Sequence, residues 1–332
     1  LILLHSLISK QKMDQIKALN DSEGAAIQAI LLPTFKIWAP LLVQQKASIQ
    51  STPMVTESYG PHPRQMLDLI RSPTDTGNTP VIVFFHGGGL IRGDKNTPQV
   101  PENLLYHNLG SFFAQRGITT INANYRRVNS PFGGEDAVFP SGGEDASLVL
   151  KWIETTLEPK GKRDVYLLGN SAGGVHASTF VLEPTFLAQR QRYMSGEASI
   201  TLKGLIDVSV PCHFQSALPG RGEVNAAYYG DAKAVEERCV LGLLQALAKS
   251  GMSREEAAVP KALVFLGEYD PEDEIGKSNK DFVDLWKKTW GDEGITFENM
   301  PGHNHISPPL ALMAGEAKGE VWGEETVKWI KG

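Results

Sequence analysis

The apolar run Val165-Tyr166-Leu167-Leu168 leads without a spacer into Gly169-Asn170-Ser171-Ala172-Gly173, and the residues that follow, 174–182, suit a helix. This pattern constrains the fold more than any other in the chain. A buried strand that turns sharply into a helix needs small residues on both sides of the turn, because the two backbone segments approach closely there. The turn would lift the Ser171 hydroxyl clear of the sheet, which makes it a candidate nucleophile. In a chain with 33 glycines the same five-residue pattern also arises by chance. An ordinary strand-to-helix turn would account for it equally well until partner residues are found.

The first partner lies upstream, where Val81-Ile82-Val83-Phe84-Phe85 runs into His86-Gly87-Gly88-Gly89. Acyl transfer builds negative charge on a carbonyl oxygen. Glycines without side chains let backbone N–H groups point at that oxygen unobstructed. His86 is expected to brace this loop rather than react. The two motifs also occur in the chain order that a strand–helix sheet of this type requires.

Together, these residues resemble the hormone-sensitive-lipase-like branch of the α/β-hydrolases, over a stretch from about residue 55 to the C-terminus. The resemblance implies an α/β fold, a mostly parallel eight-stranded sheet flanked by helices and covered by a helical cap. It also implies that Gly88, Gly89 and Ala172 donate the oxyanion hydrogen bonds. The family often carries an acidic residue before the serine, where this chain has Asn170. That position is not a reacting group.

The order of patterns along the chain agrees with this fold class. Candidate strands lie over 54–59, 64–70, 80–85, 118–124, 164–169, 204–210, 261–267 and 295–300. From the third onward most are separated by candidate helices over 101–116, 143–156, 172–189, 279–290 and 320–330. Short apolar strands of this kind suit a parallel sheet buried on both faces. Two regions fall outside the alternation: an N-terminal segment, 1–52, with helical spacing at Ile16, Leu19, Ile27, Ile30 and Leu31 that Pro33 and Pro40 should break, and an insertion over 211–260 with a helix-like run over 232–250. The core is then 53–210 together with 261–332. The resemblance implies that the two outlying regions fold together as the cap; surface decoration is the plainer reading.

A serine hydroxyl needs a base, and the base needs an orienting carboxylate. In this fold the order is Ser, then Asp or Glu, then His. After Ser171 the histidines are His176, His213, His303 and His305. His176 would sit on the helix behind the serine with its side chain turned away. His213 lies in the insertion, where it could line a pocket but is poorly placed to be the base. His303 and His305 follow the last strand, and either fits on position alone. The family's Asn-His-apolar pattern, matched by Asn304-His305-Ile306, favours His305. For the carboxylate, the strand over 261–267 empties into Glu268-Tyr269-Asp270-Pro271-Glu272-Asp273-Glu274, where Asp270 lies just past the strand end. The family's Asp-Pro-Leu-x-Asp-Glu signature is present one residue shorter and without its Leu, which keeps Asp273 as the alternative.

Asn124-Tyr125-Arg126, Phe139-Pro140 and Glu144-Asp145-Ala146 read as scaffold, with an Arg126–Asp145 contact expected. Leu90 is a candidate acyl-pocket wall or core residue. Tyr228 and Tyr229 in the insertion are candidates for substrate contact or for packing. His303 and His305, two residues apart, lack a carboxylate or cysteine at a recognised ligand spacing, so neither a metal nor another cofactor is expected.

A net charge of -6 argues against a nucleic-acid surface. Cys212 and Cys239 form no disulfide framework, which makes a cytoplasmic setting the default, although one bridge between them stays open. The apolar start Leu1-Ile2-Leu3-Leu4 lacks an initiator Met and meets His5 and Lys10 early, so no transmembrane segment is expected. The expected activity is hydrolysis of a carboxylic ester with a small or medium acyl group by an acyl-enzyme route. An aryl formamide or other amide, a lyase, condensation or cyclisation step in the same pocket, and a non-catalytic small-molecule receptor are the alternatives. A homodimer stays open.

Overall fold

The structure, a computed structural model, describes residues 2–128, 137–157, 161–215 and 219–332, and only the backbone of residues 2–11 and 219. Three helices, α1 (Ile2–Glu23), α2 (Ile27–Gln44) and α3 (Lys46–Gln50), precede strands β1 (Met54–Ser58), β2 (Met66–Ile70) and β3 (Val81–Phe85). The chain continues through α4 (Leu104–Gln115), β4 (Thr119–Ala123), α5 (Ser141–Thr156), β5 (Arg163–Asn170), α6 (Ala172–Leu182), α7 (Leu187–Ser195) and β6 (Ile200–Val208). Then come α8 (Gly222–Tyr229), α9 (Ala232–Arg238), α10 (Val240–Ser250), β7 (Lys261–Tyr269), α11 (Lys277–Trp290), β8 (Ile295–Asn304), α12 (Ser307–Ala311) and α13 (Ala317–Lys331).

The strands form one eight-stranded sheet in the order β1-β2-β4-β3-β5-β6-β7-β8. β1 and β2 run antiparallel, and every pairing from β4 through β3 to β8 is parallel. This is the fold class that the strand and helix pattern implies. Alternation along the central strands explains why the parallel sheet needs apolar residues on both faces. Val81, Val83 and Phe85 enter one core cluster, and Ile82 and Phe84 enter the other. On β6 the phase changes: Ile200 and Leu202 face the first cluster, yet so does Leu205. The register shift between β5 and β6 near Val165 accounts for it, since one extra residue, Lys203, flips every later side chain. That flip turns Asp207 to the face occupied by α6, where its carboxylate accepts from Ser178 Oγ at 2.9 Å.

Several elements differ from the sequence pattern. α2 runs through both Pro33 and Pro40 instead of breaking at them. Each proline removes a backbone donor and crowds the preceding turn. Burial of Ile30, Trp38, Leu41 and Leu42 along one face holds the helix together. Unbroken, its 18 residues, with a mean hydropathy of 1.3, are long and apolar enough to cross a membrane by length and composition only; with one face packed on the rest of the chain, the helix marks no clear transmembrane segment. The helix expected over 172–189 ends at Leu182, because Pro184 starts a new turn. The run over 232–250 divides at Cys239, which caps α10 through its sulfur. Cys212 and Cys239 are both buried as free thiols, not bridged.

The two regions outside the alternation pack differently. Ile16, Trp38, Leu41 and Leu42 from the N-terminal helices form a cluster with Leu104 and Leu105 of α4 and with Leu310 and Ala311 of α12. The insertion instead joins the main core, through residues such as Val240 and Leu244.

Candidate active site

The residues of interest gather at the C-terminal ends of the parallel strands. Ser171 follows β5 with φ 53° and ψ -123°. A non-glycine residue held at this backbone geometry is strained by roughly 1–3 kcal/mol, and the surroundings must enforce it. Three features do. The Ser171 N–H donates to Val208 O at 2.9 Å. A Cβ on Gly173 would lie 2.0 Å from Phe85 O, and one on Gly169 would lie 2.3 Å from the Gly174 backbone. The small residues flanking the serine are therefore required by the close crossing of β3, β5 and α6.

The glycine loop after β3 stands against this turn. A Cβ on Gly87 would lie 3.4 Å from that of Ser171. Gly88 and Gly89 have φ 151° and 60°, and a Cβ on Gly88 would meet Arg92 O at 2.1 Å. His86 is buried with its ring against Tyr125, 4.5 Å between centroids, and with Nε2 3.0 Å from Asn124 Oδ1. Burial pushes its pKa down to about 4, so it is neutral near pH 7 and braces the loop. On the other side, Ala172 opens α6. The first N–H groups of a helix lack intrahelical partners and carry the positive end of its dipole. The loop and the helix start thus offer donors beside the Ser171 hydroxyl.

His305 Nε2 lies 2.9 Å from Ser171 Oγ, and its Nδ1 lies 2.8 Å from Asp270 Oδ1. The second carboxylate oxygen of Asp270 accepts from Gly267 N at 2.7 Å and from Ser209 Oγ at 2.6 Å. The carboxylate is therefore fixed in direction before it meets the imidazole. Asp270, not Asp273, has this contact, because β7 extends to Tyr269 and delivers it at the strand end. A serine oxygen, an imidazole and a buried carboxylate joined in this order can move a proton from Oγ to Nε2 while the imidazolium is held in register.

His303, two residues earlier, is turned into the protein. Its Nδ1 faces Ser307 Oγ at 2.9 Å, and burial lowers its pKa to about 4. His176 is likewise buried against Tyr125, 4.3 Å between ring centroids, with its pKa lowered to about 3 by burial. The Arg126–Asp145 contact is present at 2.9 Å, with Gln65 as a second donor to the same carboxylate at 2.8 Å.

A cavity of about 30 Å³ opens beside Ser171, walled by Leu90, Ala172, Val175, Phe214 and Ile275, with Ile27 reaching it from α2. Leu90 is thus both buried and a wall. Three candidates for substrate contact are not among the residues that line this cavity. His213 is instead held by Asp281 at 3.0 Å. Tyr228 packs edge-on to His176 and Phe139, and Tyr229 packs on Phe214, because the aromatic face of α8 turns into the core. Two residues that the sequence did not single out do bear on the site: Ser209, which directs Asp270, and Thr34 of α2, whose Oγ accepts from Asn304 Nδ2 at 2.8 Å beside His305. Nothing local in either segment signals these contacts.

The family model described as BD-FAE matches residues 67–279, well over half of the chain. The chain belongs to the BD-FAE family. The matched stretch holds the glycine loop, Ser171 and Asp270, while His305 and the N-terminal helices lie outside it. Among curated relatives, the chain is similar to the gibberellin receptor GID1C of Arabidopsis thaliana, at 29% identity over 32% of this chain and 28% of that protein. It is also similar to the probable isoprenylcysteine alpha-carbonyl methylesterase ICMEL2 of the same organism, at 31% identity over 42% of this chain and 31% of that one. The chain thus spans less than a third of the length of either relative. Among solved structures, the brefeldin A esterase described as a bacterial homologue of human hormone sensitive lipase superposes with a TM-score of 0.56. The identity there is 18%, over 90% of this chain and 85% of that one, a likeness of fold. With the sheet order above, it places this member of the BD-FAE family in the α/β-hydrolase fold.

Proposed function

We propose that the protein is a serine hydrolase that cleaves a carboxylic ester with a small or medium acyl group, without a cofactor. The observation that carries this reading is the continuous chain of contacts from Ser171 Oγ through His305 to Asp270, at 2.9 and 2.8 Å. Ser171 attacks the ester carbonyl while His305 Nε2 accepts its proton. The oxyanion is held by N–H groups of Gly88, Gly89 and Ala172, donors that act where charge develops. His305 then protonates the departing alcohol, and the acyl-enzyme is hydrolysed by a water that gives its proton to the same nitrogen. Asp270 keeps the Nδ1–H tautomer throughout. The N-terminal helices and the insertion over 211–260 act as the cap: Ile27 from the first and Phe214 from the second meet at the cavity.

The names of a relative and a structural neighbour, a probable methylesterase and an esterase, agree with ester chemistry. A receptor role, suggested by the name of another relative, is disfavoured by the bonding of His305 to both its partners. The test is labelling with a serine-reactive phosphonate, followed by peptide mass spectrometry and an ester panel graded in acyl length. A mass shift on the Ser171 peptide with turnover of short esters is expected. Well-folded protein that takes no label sinks the hydrolase reading, and labelling without acyl release from any ester or amide moves it to the lyase alternative.

A further inference from the structure

One wall of the cavity beside Ser171 is charged. Arg221, which ends the turn Pro219–Arg221 leading into α8, and Glu274, in the helical turn Glu272–Gly276 after β7, both line it. The guanidinium lies against the oxyanion loop: a Cβ on Gly89 would come within 2.5 Å of one of its terminal nitrogens. Its distance to Glu274 is 3.9 Å, too long for a hydrogen bond. The two side chains are 32% and 12% exposed, so both charges are partly withdrawn from water. Among the described residues Glu274 is the only carboxylate within 4.0 Å of this guanidinium.

A structural ion pair in such surroundings recovers its desolvation cost through short, hydrogen-bonded contacts. The buried Lys95–Asp68 pair elsewhere in the molecule does so at 2.6 Å. The Arg221–Glu274 pair does not. Its guanidinium keeps a planar fork of N–H donors, the geometry that grips a carboxylate with two parallel hydrogen bonds, and it presents them in a largely apolar cavity at the reacting serine.

We infer that Arg221 is a specificity-determining residue that binds a carboxylate carried by the substrate, so that the esters this site takes are anionic ones. The inference rests on the ester hydrolase reading and names its substrate class. Glu274 holds the guanidinium in the free protein and competes with the incoming carboxylate.

Two pairs of esters test it. Para-nitrophenyl hemisuccinate and para-nitrophenyl butyrate share a leaving group and differ by a carboxylate on the acyl side. Para-butyryloxybenzoate and phenyl butyrate place the difference on the alcohol side. The wild-type protein should prefer the anionic member of at least one pair by tenfold or more in kcat/KM, the scale of a charge-assisted hydrogen bond. Arg221→Ala should collapse that ratio at least tenfold, Arg221→Lys should keep part of it, and Glu274→Gln should raise it. A wild-type ratio of one or less in both pairs overturns the inference, and so does a ratio that Arg221→Ala leaves unchanged. If none of the four esters turns over, the hydrolase reading is what has failed. Calorimetric titration of Ser171→Ala with methyl hemisuccinate and methyl butyrate then decides separately. Tighter binding of the anion that Arg221→Ala abolishes supports the carboxylate site, and equal or absent binding of both overturns it.

Discussion

The strand ends that carry Ser171, Asp270 and His305 and the two segments that reach the cavity beside them, the N-terminal helices and the proposed cap insertion, are built on different physics. At the strand ends, each polar group is held by a short directional contact: Ser209 and Gly267 on Asp270, Asp270 on His305, His305 on Ser171, at 2.6–2.9 Å. The covering segments rest mainly on apolar packing, with Leu32 and Val43 of α2 left 54% and 41% exposed and the Arg221–Glu274 pair loosely made. Reaction geometry tolerates little displacement, whereas a cover must let substrate in. The contrast predicts that damage at the strand ends appears as lost chemistry, and damage in the cover or behind the site as altered selectivity or stability.

The largest effect belongs to Ser171→Ala, expected to lower kcat on an active ester by about 10⁴-fold or more and to abolish phosphonate labelling, with the thermal midpoint little lowered. Residual turnover near the wild-type level would break the comparison at its centre. The neighbouring histidines give a sharper cut. His305→Ala should also cost on the order of 10⁴ in kcat. His303→Ala should keep kcat within about tenfold while lowering the thermal midpoint, because it opens a cavity beneath Ser307 without touching Ser171. The reverse ranking in steady-state kinetics would mean that the base is misassigned.

Behind the strand-to-helix turn at Ser171, Asp207 offers a stability test. Burial raises its carboxyl pKa from 3.8 to about 7. Between those two values the folded protein holds a proton that the unfolded chain has released, so this group makes stability fall as pH rises from about 4 to about 7 and then level off. Asp207→Asn removes the ionisation. The variant should therefore gain on the wild type as pH rises through that window, by about 2–4 kcal/mol at pH 8. Urea unfolding at a series of pH values measures the difference, and parallel curves for the two proteins would exclude an Asp207 contribution. The smallest effect is expected of Thr34→Val. It leaves the Asn304 amide unpaired beside His305, at about 1 kcal/mol of stability and a few-fold in kcat. A fall in the thermal midpoint with unchanged kcat would show that α2 merely covers the histidine loop without setting its position.

What could be read from the chain alone divides along the same line. The turn at Ser171 and the glycine loop were legible because their requirements are local: Gly173 must be small where α6 passes Phe85, and that demand appears as a glycine at a set distance from a serine. The unbroken apolar run of β3 announced a strand buried on both faces for the same reason. Choosing His305 over His303 needed family likeness, since both residues are buried and they sit two positions apart at the end of one strand, His303 within β8 and His305 just past it. The placements of His213, Tyr228 and Tyr229 were not legible. Each depends on which way α8 and its approach turn, and thus on neighbours such as Asp281 and Phe139 that are distant in sequence. α2 misled because its prolines act within one turn, while the packing that outweighs them comes from α4 and α12.

By itself, then, the sequence determined the type of sheet, the turn that exposes Ser171 and the chemical identities of its partners, because backbone sterics and strand periodicity act over a few residues. Tertiary structure alone decided that Asp270 rather than Asp273 meets His305, that Thr34 reaches across 270 positions to Asn304, and that Arg221 stands beside Gly89. Those contacts join segments with no local pattern in common, and they exist only once burial of the apolar faces has brought the segments together.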